Sequence, residues 1–140
     1  MSMPGRAARS MRGPRAIVAS TIYIIHPSSE KRRDLAAMVA NGADDVRTLE
    51  SAEEFLQTVA SNACGCVVAS SDLDGMGMRA LLAAIRERHL RLPVIVLGHG
   101  ADLAMAVDLV RAGAAEFLEP PVSDRRLRSV VRQAIAWSGS

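Results

Sequence analysis

The residues best placed for chemistry stand in one stretch, Gly65-Cys66-Val67-Val68-Ala69-Ser70-Ser71-Asp72-Leu73-Asp74-Gly75. A short apolar run gives way to two hydroxyls, two carboxylates and a glycine. That is the pattern of a buried strand opening into a loop at its carboxyl end. Carboxylates in such a loop can attack a phosphoryl group or hold a hard cation, whereas a serine hydroxyl needs a base beside it. His26 ends an earlier apolar run, and with Asp72 and Asp74 it offers ligand types suited to Zn²⁺ or Ni²⁺. Three residues on separate loops are a weak metal signal, and carboxylates just ahead of a helix are also explained by its dipole. No metal is therefore expected. Arg125, Arg126, Arg128 and Arg132 form a basic run that reads either as a solvated helix face or as a partner surface.

Five strand–helix units position these residues. Thr21 to Ile25 is β-branched and aromatic, the makings of a central strand. His26-Pro27-Ser28-Ser29 breaks it, and either serine can cap a helix carrying Leu35, Met38 and Val39 as far as Asn41-Gly42. Asp45 to Leu49 reads as a short second strand. Ser51 and Glu54 then form a capping box ahead of Phe55, Leu56 and Val59. The third strand is the opening stretch. Its helix begins near Met76, with Leu81, Leu82 and Ile85 inward and Arg86, Glu87 and Arg88 outward. Pro93 to Leu97 is almost wholly apolar, as a parallel strand covered on both faces must be. Leu103, Val107 and Val110 mark a fourth helix stopped by Gly113. Ala114 to Leu118 reads as a fifth strand, and Ser123-Asp124 opens a last helix through Leu127, Val130, Val131 and Ile135. Short connections force parallel pairing and right-handed crossovers. The expected fold is α/β, a flavodoxin-like (βα)5 doubly wound parallel sheet in strand order 2-1-3-4-5.

From Thr21 to Trp137 the sequence resembles the receiver domain of bacterial two-component response regulators, in particular the FixJ-like branch. Ser51-Ala52-Glu53-Glu54-Phe55-Leu56 carries the likeness, with Pro93-Val94-Ile95-Val96-Leu97-Gly98-His99-Gly100 and the run from Ala106 to Glu119. In that family an aspartate ending strand 3 accepts a phosphoryl group from a histidine kinase. An acidic pair after strand 1 holds Mg²⁺, a Thr or Ser ends strand 4, and a Lys precedes a cis-proline after strand 5. The resemblance places Ser70 at the aspartate, His26 and Pro27 at the acidic pair, Leu97 at the hydroxyl and Pro120 at the lysine. Lys31 is the chain's one lysine, so no shift of register supplies another. Pro121 matches the cis-proline and Phe117 the aromatic switch position. The resemblance thus implies a degenerate receiver, not an enzyme, with no cofactor. Asp72 and Asp74 are the substitute carboxylates if phosphoryl transfer or metal binding survives. The family's output face, helix 4–strand 5–helix 5, would here carry Phe117, Pro121, Arg111, Arg125 and Arg128. Its expected partner is a protein, whether a kinase, an effector domain (DNA-binding, in a longer regulator) or a second copy in a homodimer.

Composition agrees with one folded unit. The chain has 140 residues, 49% hydrophobic and 23% charged, a globular balance. Arg6, Arg9, Arg12 and Arg15 lie in an acid-free stretch, and residues 1–20 read as a flexible basic tail ahead of a domain over 21–138. Setting those four aside from the 17 basic residues leaves 13 against 15 acids, so direct nucleic-acid binding by the domain is not expected. No apolar run reaches the roughly 18 residues of a membrane span. Without a secretory pattern or an evident disulfide, the cytoplasm is the expected compartment.

Overall fold

The computed structural model describes residues 19–73, 75–98 and 103–138. Five strands alternate with five helices: β1 (Ser20–Ile25), α1 (Ser29–Met38), β2 (Asp45–Leu49), α2 (Ala52–Thr58), β3 (Cys64–Ser70), α3 (Gly77–Glu87), β4 (Val94–Leu97), α4 (Leu103–Arg111), β5 (Glu116–Leu118) and α5 (Asp124–Ser138). All pairings are parallel and the order is β2-β1-β3-β4-β5, as the sequence predicts. Helices α1 to α4 supply the crossovers that the parallel strands need, and α5 follows the last strand.

Side chains alternate along each strand, so the sheet has two cores. Tyr23, Ile25, Val67, Ala69, Val94 and Val96 face α2, α3 and α4, where they meet Phe55, Leu81 and Leu109. Ile22, Ile24, Cys66, Val68, Ile95 and Leu97 face α1 and α5, where they meet Val39, Leu127 and Val131. Gly65 lies in β3 at φ +138°, and a Cβ there would stand 1.9 Å from the Thr21 carbonyl oxygen on β1.

Local signals set the helix ends. Ser28 Oγ accepts the Lys31 N–H at 3.2 Å and Ser123 Oγ the Arg126 N–H at 3.0 Å. At α2, Ser51 Oγ accepts the Glu54 N–H at 3.1 Å, but the Glu54 carboxylate takes the Glu50 N–H at 2.7 Å and not that of Ser51. The capping box is therefore displaced by one residue. Gly113, at φ +121°, ends α4.

One expectation changes. β5 is three residues long, not the five of Ala114 to Leu118, because it is an edge strand paired only with β4. On α4 only Leu109 is buried, and Leu103, Val107 and Val110 are 75%, 42% and 49% exposed. A three-residue strand offers the helix little sheet to cover, so most of its apolar spacing faces outward. Both cysteines are free. Cys66 is buried, which pushes its thiol up to about 12.

Candidate functional site

In a doubly wound sheet the crevice lies beyond the carboxyl ends of the strands. Ser70 is the last residue of β3 and is 5% exposed. Its Oγ accepts the Asp72 N–H at 3.1 Å, closing a tight turn. Ser71 leaves the strand with its N–H on the Leu97 carbonyl at 2.8 Å, which ties the loop to β4. Asp72 is exposed. Asp74 lies outside the described residues, as does His99.

His26 follows β1 and its N–H reaches the Leu49 carbonyl of β2 at 3.1 Å. Its Nδ1 accepts the Ser28 N–H at 3.0 Å, so the neutral ring carries its proton on Nε2. Arg32 Nη1 donates to the His26 carbonyl at 2.6 Å. Partial burial lowers the pKa of His26 first, and the charges of Lys31 and Arg32 lower it further, while Asp72 opposes them. An ordinary histidine titrates near 6.5 and the folded one below that. The unfolded chain therefore takes up the proton first as pH falls, and the stability contributed by the neutral ring is complete above 6.5 and lost below it. Urea melts between neutral and mildly acidic pH will show wild-type stability falling more steeply than that of His26→Gln. Parallel curves would remove His26 from the pH dependence.

Where the resemblance places an acidic pair, the chain has this imidazole and the exposed, ligand-free Pro27, with Lys31 and Arg32 close by. Among the described residues no group of three His, Cys, Asp or Glu could hold a metal ion.

On the β4 side two neighbouring residues take opposite directions. Leu97 turns into the α1/α5 core, away from Phe117, which packs with the α2–α4 core. The next residue, Gly98, is the one directed at the crevice. A Cβ on it would meet Ser71 Oγ at 2.5 Å and Phe117 Cζ at 2.8 Å. The ring of Phe117 is thus seated against bare backbone. Pro120 and Pro121 are exposed and joined by a cis peptide bond.

The basic residues divide between two faces. Arg111 and Arg125 are exposed near β5 and on α5. Arg126 lies 4.0 Å from Glu116 of β5, whereas Arg128 points the other way. Its Nη1 is 3.4 Å from the Met38 carbonyl of α1 and 3.9 Å from Asp124. Two helical steps of about 100° separate those side chains, so Arg126 and not Arg128 borders β5. The sequence reading also passed over Glu53. Its carboxylate accepts the Met76 N–H at 3.0 Å, satisfying the start of α3, where no side chain of that helix's own cap does so. A carboxylate in the first turn of α2 gave no hint of a bond to another helix.

The family described as the response regulator receiver domain matches residues 22–132. TdiR, a transcriptional regulatory protein of Thauera aromatica, is 33% identical over 118 residues, covering 84% of this chain and 52% of TdiR. FixJ, a transcriptional regulatory protein of Bradyrhizobium diazoefficiens, is 30% identical over 115 residues, covering 81% of this chain and 56% of FixJ. The chain thus spans about half the length of these relatives. A crystal structure of full-length FixJ from B. japonicum has a TM-score of 0.77 at 25% identity, covering 87% of this chain and 60% of that one. A receiver domain protein from Clostridium thermocellum has a TM-score of 0.78 at 23% identity, over 86% of this chain and 97% of that one, a likeness of fold alone. No helix among the described residues is long and apolar enough to cross a membrane.

Proposed function

The chain belongs to the response regulator receiver domain family, and from that premise we propose that it signals by protein–protein contact and not through an aspartyl phosphate. It is an adaptor or the regulatory domain of a transcription regulator, the kind of protein its relatives TdiR and FixJ are named as. The observation that carries this reading is Ser70. Position 70 offers a buried hydroxyl already engaged by the Asp72 amide, with no carboxylate. An acyl phosphate needs a carboxylate nucleophile and positive charge to neutralise the transferring group, usually as Mg²⁺. The histidine, proline and two nearby cations beside β1 disfavour that ion.

Incubation with acetyl phosphate and Mg²⁺ will leave the intact mass unchanged. A phosphoryl adduct that disappears in Asp72→Asn or Asp74→Asn would sink the proposal in favour of a substitute carboxylate.

Contact runs through α4, β5 and α5. Leu103, Val107 and Val110 form one exposed stripe at helical spacing, flanked by Arg111, Arg125 and the Glu116–Arg126 pair. A second copy fits such a stripe, because two apolar stripes bury each other about a two-fold axis. In sedimentation, Val107→Asp will weaken self-association about tenfold, since a carboxylate buried without a partner is strongly disfavoured. Unchanged association would move the interface elsewhere.

A further inference from the structure

At the amino-terminal edge of the sheet, opposite the degenerate crevice, a groove of about 520 Å³ lies between the ends of α3 and α5 and the starts of β4 and β5. That volume falls within the range of about 300–1,000 Å³ that accepts a substantial ligand. Its floor is apolar, formed by Leu82, Ile85, Leu92 and Val94, which belong to the core or pack beside it. Arg86 and Arg91 stand on its rim, both exposed, and neither makes an ion pair with a described residue. Among the described residues no carboxylate lines it. Glu87 is next to Arg86 in sequence but is not part of the lining. Trp137, 72% exposed, forms one wall.

We infer that this groove docks an acidic peptide segment of a partner protein, with one large apolar side chain as its anchor and carboxylates on either side. The apolar floor takes the anchor, as buried pockets at interface centres do. The two guanidiniums fork towards the flanking carboxylates, so charge decides which segment is accepted. Trp137 adds a broad, rigid contact of the kind enriched at such centres. A membrane surface is the poorer fit, because apart from Trp137 the apolar groups lie recessed in a concavity that a bilayer cannot enter. The site lies at the opposite end of the sheet from Ser70, which closes β3.

The test uses the whole chain and a short labelled peptide bearing Leu and Phe among Glu and Asp residues, with a counterpart in which Lys replaces the acids. Fluorescence anisotropy will show saturable binding of the acidic peptide that weakens with salt and is at least about tenfold tighter than that of the counterpart. Arg86→Glu with Arg91→Glu will weaken it about tenfold again, and so will Trp137→Ala, with melting curves confirming that each variant folds. Amide shifts will centre on Leu82, Leu90 and Ala112. Equal binding of both peptides, shifts centred elsewhere, or no saturation would overturn the assignment. So would a dimer abolished by Arg86→Glu, which makes a second copy the occupant, or binding to phosphatidylserine vesicles that Trp137→Ala removes.

Discussion

Alanine at position 65 will remove the cooperative unfolding transition or lower stability by about 5 kcal/mol or more. Gly65 sits at φ +138°, a conformation that L side chains rarely adopt. Its added Cβ would meet backbone, not a flexible side chain: the Thr21 oxygen at 1.9 Å and the Thr21 nitrogen at 2.7 Å. β1 and β3 are the two inner strands paired there, Thr21 opposite Gly65, so relief requires parting the sheet at its centre. Domains of this size hold about 5–15 kcal/mol in total. Urea unfolding followed by circular dichroism decides the matter, and a midpoint equal to wild type would mean that the close approach does not exist.

The second large effect is Phe55→Ala, at about 4 kcal/mol. Phe55 is the largest fully buried side chain, and its ring meets Tyr23 edge to face with centroids 5.2 Å apart. The cavity would open under α2, a helix of seven residues with few other anchors. Phe55→Leu fills most of that volume and should cost only about 1–1.5 kcal/mol. Equal losses for the two variants would assign the effect to the aromatic pair and not to the cavity.

The sheet was legible because a parallel strand buried on both faces leaves an unbroken apolar run, and each helix leaves its own period beside it. Pro93 to Leu97 and Leu81-Leu82-Ile85 are such signals, and both lie where they were expected. The apolar spacing of Leu103, Val107 and Val110 announced a helix truly but not its inner face, because spacing does not say how much sheet lies beneath. That Ser70 closes β3 and that His26 and Pro27 follow β1 could be read from the apolar runs. The direction of the Leu97 side chain could not. Which of two neighbouring residues turns towards a crevice is set by strand register, and here register gives that direction to Gly98. Likewise the opposed arginines 126 and 128 read as one basic run in sequence, and only the helix turn separates them.

The bare backbone at Gly98 constrains what the end of β4 can carry. Gly98→Thr brings a Cβ within 2.5 Å of Ser71 Oγ and 2.8 Å of the Phe117 ring. That change forces the Phe117 ring from its seat whatever stands at 71, and the Ser71 hydroxyl must also turn aside. A side chain at 98 therefore requires accompanying shifts at two other elements. Packing thus acts as a ratchet: position 98 is held as glycine by the neighbours that have closed over it, Ser71 after β3 and Phe117 on β5.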